Sequence, residues 1–330
     1  MELSSIGLGT YLGEPDEATD GNYAEAARRF AAAGGNVFDT AANYRMGRSE
    51  RALGSVFRDR PRDSFFVSTK AGYLPMGDGR TSESPRAWFH RVLGGPGILA
   101  PEEVMDGCHA LTPRYLAHQL RVSLEALGVA RVDLFHLHNP EHQRPALGPE
   151  QFRTVMRQAF ESCEEMAAQG LIGAYGCATW NGFRVPPEAA DHLGLEELLD
   201  LAREAGGRDH HFRWIQLPLN LAMPEAFNRA TQPFGGVRLT PLQAARAAGL
   251  GVQVSASLMQ ARILGRLPGG LGAILPGCRT PAQAALQFAR SCPGVTSALC
   301  GMSRPAHVTE NLEILGLPVA GEEVLRELVG

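Results

Sequence analysis

Residues 36–50 read Asn-Val-Phe-Asp-Thr-Ala-Ala-Asn-Tyr-Arg-Met-Gly-Arg-Ser-Glu, and the fold is read outward from them. Asn36 to Phe38 is short and apolar. Gly34-Gly35 separates it from the helix-patterned run Tyr23 to Ala33, so it reads as a buried strand that follows a helix. Asp39 and Tyr44 fall at its exit. A second apolar run, Phe65 to Thr69, delivers Lys70 to a similar position. A third, Arg131 to His138, stops in histidine before the turn signal Asn139-Pro140. Aspartate, tyrosine, lysine and histidine therefore all stand where strands stop.

Lys70 is the only lysine in 330 residues; every other basic residue, out of 31 Lys and Arg, is arginine. A lysine is a compact point charge whose pKa shifts when it is desolvated, whereas arginine is planar, larger and always charged. The exception at a strand end points to a place that needs an ammonium.

Along the rest of the chain, apolar and helix-patterned stretches alternate. Ile6 to Gly13 reads as a first strand. Strands are expected at 36–38, 65–70, 132–138, 171–177, 212–217, 251–256 and 295–300. Helices are expected at about 49–59, 114–127, 150–169, 194–205, 240–248, 281–291 and 305–315. Repeated strand-then-helix order implies a parallel sheet, and eight strands favour closure into a barrel. The fold class is thus α/β, a single (β/α)8 TIM barrel with long βα loops, spanning 1–330 as one domain. No G-x-G-x-x-G follows a strand, so a bound dinucleotide would not rest on a Rossmann glycine turn. Two connections exceed turns. The run 71–113 leaves the Lys70 strand end and carries Tyr73 and Trp88, and 222–240 carries Phe227 and Phe234. Long loops in compact domains are commonly lids or binding loops, so both are assigned to the substrate wall, with a satellite core as the competing reading for their aromatics.

A net charge of −4 offers no broad basic footprint for nucleic acid, and 44% hydrophobic with 20% charged residues suits a globular protein acting on small molecules. Met1 to Ser5 lacks a basic segment leading into an apolar core, and no apolar run has membrane-spanning length, so a cytoplasmic protein is expected. The six cysteines show no paired metal spacing.

The text FDTAANYRMGRSERALG around Asp39 and Tyr44, STK at Lys70 and VDLFHLHNP at His138 resembles the aldo-keto reductases, NAD(P)-dependent enzymes on a (β/α)8 barrel. Further matches lie near Gln216, Ser257 and Glu310-Asn311. The resemblance implies hydride transfer between a nicotinamide and a carbonyl or alcohol substrate. It makes Tyr44 the general acid or base, Lys70 and Asp39 its tuners, and His138 the residue that orients the carbonyl. The chemistry is coherent: a phenol with an ordinary pKa near 10 is a weak acid, a nearby ammonium favours its phenolate, and a carboxylate keeps that ammonium charged.

The resemblance also places Ser257, Ser303, Glu310 and Asn311 on the pyrophosphate or adenosine and Gln216 on the nicotinamide carboxamide. Arg304 would meet a 2′-phosphate, which favours NADP, while His307 leaves NAD open. After the fifth strand the chain reads Gly176-Cys-Ala-Thr179, without the family's usual serine and asparagine donors, so Thr179 or Asn181 is expected to substitute. Ala256 stands where an aromatic usually stacks on the nicotinamide, so part of the ring platform is expected to be absent, weaker or replaced by Trp180. Tyr11, Tyr73, Trp88 and Trp180 are the expected substrate contacts. Two other readings stay open. The missing cofactor contacts allow a nucleotide-binding barrel with an accessory, sensing or epimerising role. His136-x-His138 has metal-ligand spacing and allows a metal-dependent hydrolase, provided later strand ends supply more ligands.

Overall fold

The computed structural model describes residues 1–77, 83–267 and 271–329. Eight parallel strands close into a barrel: β1 (Ile6–Gly9), β2 (Val37–Asp39), β3 (Phe66–Ala71), β4 (Val132–His138), β5 (Ile172–Ala178), β6 (Phe212–Pro218), β9 (Gly251–Ser255) and β10 (Ser297–Gly301). Around the barrel the order is β1-β10-β9-β6-β5-β4-β3-β2, and β1 pairs with β2 to seal it. Two further strands, β7 (Gln232–Phe234) and β8 (Val237–Leu239), form a separate antiparallel hairpin.

Three of the helices around the barrel start where the sequence supplies a threonine followed by proline. Thr112-Pro113, Thr240-Pro241 and Thr280-Pro281 each cap a helix: the threonine side chain accepts from the backbone N–H of Tyr115, Gln243 and Gln283 respectively, and proline fills the first turn, where no N–H is needed. These caps set the helices Pro113–Leu127, Pro241–Ala247 and Pro281–Ser291. Close strand contact also has a local cause. A Cβ at Gly176 would lie 2.1 Å from the Trp214 carbonyl oxygen, at the point where the β5–β6 register shifts, so only glycine lets those strands meet.

The stretch Arg144–Ala168 is two helices meeting at a kink where Gly148 has φ 72°, so the helix expected from about 150 is preceded by a short one from Arg144. Within 222–240 the chain forms the β7–β8 hairpin, and for Phe227 the core reading holds. Gly235 and Gly236 both take positive φ, 58° and 79°, as a two-residue hairpin turn requires. Gln232 pins the hairpin to the body, donating to the carbonyls of Phe183 and Leu193 and accepting from the Leu195 N–H. Phe227 is buried in the main core. No described helix is long and apolar enough to cross a membrane.

Candidate active site

Three adjacent strand ends assemble the corner. Asp39 ends β2 opposite Ser68, and Lys70 lies opposite His136 on β4, two residues before His138. Asp39 and Lys70 are almost fully buried. The Lys70 ammonium donates to Asp39 Oδ2 at 2.6 Å and to the Thr40 carbonyl at 2.8 Å. The other carboxylate oxygen of Asp39 accepts from Ser68 Oγ at 2.7 Å and from Gln216 Nε2 at 2.9 Å. A buried charge pair needs this completeness, because an unpaired member would carry its desolvation cost alone.

Tyr44 sits on a turn after β2 in which Arg45, Met46 and Gly47 all have positive φ. Such backbone persists only where its surroundings over-determine it. Here Arg45 does so, donating to the carbonyls of Glu14 and Asp16 and to Asp20 Oδ1. The Tyr44 ring centroid lies 5.0 Å from Lys70 Nζ, and 5.8 Å from that of the His138 ring, edge to face. The phenol pKa is held well above its usual value, first by burial and then by the charge of Asp39. Desolvation outweighs the lowering expected from Lys70, whose charge is paired with Asp39. Burial likewise pushes the Lys70 ammonium down, against the opposing pull of Asp39. His138 is held well below the imidazole range by burial and then by the Lys70 charge, so its ring is neutral.

The rim after β9 and β10 is of another kind. Ser257 Oγ is buried with no hydrogen-bond partner. Arg304 is exposed and precedes the helix Pro305–Leu312, whose start has no side-chain cap. Pro305 has no N–H and the His307 N–H meets the Arg304 carbonyl, but the start carries no side-chain cap and an arginine stands beside it, which suits an anion. Ser303 and Glu310 are half-buried and His307 exposed on the same segment. Gln216 gives its amide nitrogen to Asp39 and Gln253, which leaves its amide oxygen for a ligand. An orphaned buried hydroxyl, an open helix start and a spare amide oxygen fit a dinucleotide.

Residues 5–192 match the profile of the Aldo/keto reductase family. The chain belongs to that family. It is 28% identical over 309 residues to a D-threo-aldose 1-dehydrogenase of a Pseudomonas species, covering 87% of this chain and 81% of that one. It is 26% identical over 187 residues to an NADH-specific methylglyoxal reductase of Escherichia coli, covering 54% of this chain and 49% of that one. The solved aldo/keto reductase from Klebsiella pneumoniae in complex with NADP and acetate superposes with a TM-score of 0.66 at 20% identity, over 99% of this chain and 90% of that one. This aldo/keto reductase is therefore an NAD(P)-dependent oxidoreductase acting on carbonyl and alcohol groups.

Not every expected residue reaches the reductase's site. Tyr11 does, 55% exposed with its ring 5.0 Å from that of Tyr44, and so does Tyr73, with its ring 5.1 Å from that of His138. Trp180 is 47% exposed at the exit of β5, available to a ligand. Trp88 is not on the wall: it is buried in a satellite cluster with Leu74, Leu93 and Tyr115 under the loop after β3. Residues 78–82 of that loop lie outside the described residues. Asn181 turns its amide to Asp191, which leaves Thr179 as the candidate substitute donor, its hydroxyl 3.5 Å from the Gln216 carbonyl. Asn311 is buried and donates to Cys300 Sγ rather than facing outward. His136 contacts Gln253 inside the barrel at 3.3 Å, and among the described residues no group of three or more His, Cys, Asp or Glu is placed to hold a metal. One organiser escaped the sequence reading. Glu141, next to the Asn139-Pro140 turn, accepts from the backbone N–H groups of Trp180, Asn181 and Gly182, at 2.6, 3.1 and 3.4 Å, and so shapes the loop that carries Trp180.

Proposed function

We propose that this reductase works on a hydroxylated, sugar-sized carbonyl or its alcohol, with Tyr44 moving the proton and NADP as the preferred cofactor. The observation that carries the reading is the buried Lys70–Asp39 pair beneath the Tyr44 ring, beside a neutral His138. When bound, the nicotinamide supplies or takes the hydride. In the reducing direction the neutral imidazole of His138 holds the carbonyl oxygen through its single N–H. Tyr44, protonated because burial holds its pKa up, then gives its proton to that oxygen. The phenolate left behind is attracted by the Lys70 ammonium, which lies 5.0 Å from the ring centroid, and Asp39 reduces that attraction. In the oxidising direction the same attraction lets Tyr44 act as base.

The sugar-sized substrate is supported by the aldose named for one relative and by two exposed rings, Tyr11 and Trp180, at the mouth. Arg304 at the open helix start supports NADP, while the NADH-specific relative shows that the family accommodates either choice. Fluorescence titration with NADPH and NADH, followed by initial rates on aldoses, hydroxyketones and simple aldehydes, tests this. Tighter NADPH binding and turnover of hydroxylated carbonyls are expected; the absence of binding by either nucleotide would sink it.

A further inference from the structure

Beside His138 lies a chain of side chains that the chemistry above does not use. The Tyr73 hydroxyl is 3.0 Å from His142 Nδ1, and His142 Nε2 is 2.8 Å from Asp106 Oδ2. A carboxylate only accepts, so Nε2 donates to Asp106, and in the imidazole form the bare Nδ1 takes the phenolic proton of Tyr73.

Tyr73 is fixed on its other sides as well. Its carbonyl accepts from the Tyr115 hydroxyl at 3.0 Å. Its ring packs edge to face on His109, with centroids 4.8 Å apart. His109 is itself locked: Nε2 donates to the His138 carbonyl at 2.7 Å and Nδ1 accepts from Gln143 at 2.9 Å. Gly72 makes this possible, since a Cβ there would meet the His138 carbonyl oxygen at 2.6 Å and His109 Nε2 at 2.8 Å. Burial raises the Tyr73 phenol pKa against a lowering hydrogen bond from Asn139, and the Glu141 charge adds to the rise, so the hydroxyl keeps its proton. With that proton committed to His142, the oxygen presents lone pairs, and the nearest donor, Asn139 Nδ2, is a long 3.4 Å away.

The geometry points to Tyr73 as an acceptor subsite for a substrate hydroxyl on the carbon next to the reacting one, held in that role by His142 and Asp106. His138 offers an N–H and Tyr73 a lone pair from rings 5.1 Å apart at 89°. Together they match a carbonyl oxygen that accepts and a neighbouring hydroxyl that donates. The class is a 2-hydroxy carbonyl or, in the oxidising direction, a vicinal diol or the ring form of an aldose. Tyr73 touches substrate, whereas His142 and Asp106 are positioning residues. The inference rests on His138 and Tyr44 handling the carbonyl.

The test compares 2-hydroxypropanal with propanal, which differ by that one hydroxyl. Wild type is expected to favour the hydroxylated aldehyde about ten-fold in kcat/KM, the worth of one well-placed hydrogen bond. Tyr73→Phe keeps the ring and is expected to erase the preference, raising KM for 2-hydroxypropanal about ten-fold more than it changes KM for propanal. His142→Leu should do the same, while His142→Gln, which can still accept the phenolic proton, should retain most of the preference. Equal losses on both aldehydes, or a preference that survives in Tyr73→Phe, would overturn the subsite. If wild type reduces propanal without favouring its hydroxylated analogue, the subsite alone falls; if it reduces neither, the carbonyl reading falls and takes the subsite with it.

Discussion

The ends of β2 to β4 and the exits of β9 and β10 answer the same functional demand in opposite ways. At the first, the charges meet protein partners, although Thr40 Oγ1 and His138 Nδ1 beside them do not: Asp39 is satisfied by Lys70, Ser68 and Gln216, and the ammonium by a carboxylate and a carbonyl. At the second, polar groups stand without protein partners, with Ser257 Oγ orphaned and a helix start uncapped. Preorganised charge needs no reorganisation at the moment of reaction, whereas unsatisfied donors gain their partners only when a ligand arrives. On this reading the corner governs turnover and the rim governs affinity.

The largest effect expected is therefore at Tyr44. Tyr44→Phe removes one hydroxyl from a ring that otherwise packs against Tyr11 and His138. It is expected to lower kcat by about 10²- to 10⁴-fold, the usual range for a lost general acid, with NADPH affinity and melting temperature unchanged. Steady-state rates and a nucleotide titration on one preparation decide it. Near-normal turnover would give the proton to another group, and a matching loss of nucleotide affinity would dissolve the contrast between corner and rim.

How much of this was legible depended on whether the cause was local. The helix Pro281–Ser291 and the strand Val132–His138 fall on their expected bounds because a Thr-Pro cap and an Asn-Pro stop are written into adjacent residues. The convergence of Asp39, Lys70 and His138 was legible because barrel strands all end on one face. The hairpin around Gly235-Gly236 carried a signal, but its strands are only three residues each and show no alternation to notice. The helix Glu322–Val329 was missed at the end of the described chain. Burial was the harder loss. An aromatic in a long loop has no periodic face, so Trp88 could be read as wall or as core. The direction of the Tyr44 shift turned on weighing desolvation against charge, which spacing does not reveal. The Asp106–His142–Tyr73 chain joins residues from two segments whose meeting only the fold brings about.

Next in size is a dependence on pH confined to the corner. Burial holds both His109 and His136 down to about 4, against an ordinary value of 6.5. Their folded-state pKa values are depressed, so the unfolded chain binds more protons below pH 6.5. The stability they confer is present above 6.5 and is lost as pH falls toward 4. For each the full loss is roughly 3 kcal/mol. Glu50 and Glu141, which burial pushes up, work in the opposite sense, so the wild-type curve alone is a mixture. The difference between wild type and His109→Gln in urea midpoint, followed from pH 7 to 4, isolates one imidazole. That difference should shrink in wild type's disfavour as pH falls. A flat difference would mean that His109 is not held neutral by its surroundings and that water reaches the corner.

The smallest effect belongs to the rim. Arg304 is exposed, and a charge in water contributes modestly even to a phosphate, so Arg304→Ala is expected to weaken NADPH binding about ten-fold rather than abolish it. NADH lacks the 2′-phosphate and should bind as before, and kcat at saturating nucleotide should not move, because nothing at the β2 to β4 ends has changed. The readout is the pair of dissociation constants at two salt concentrations, since the arginine's share should fade at high ionic strength. Equal weakening for NADH and NADPH would place Arg304 on a phosphate that both nucleotides carry and transfer the discriminating role to His307. A fall in kcat would be more damaging, because it would mean that the two regions are not separable and that groups left open at the rim also set the chemistry at the corner.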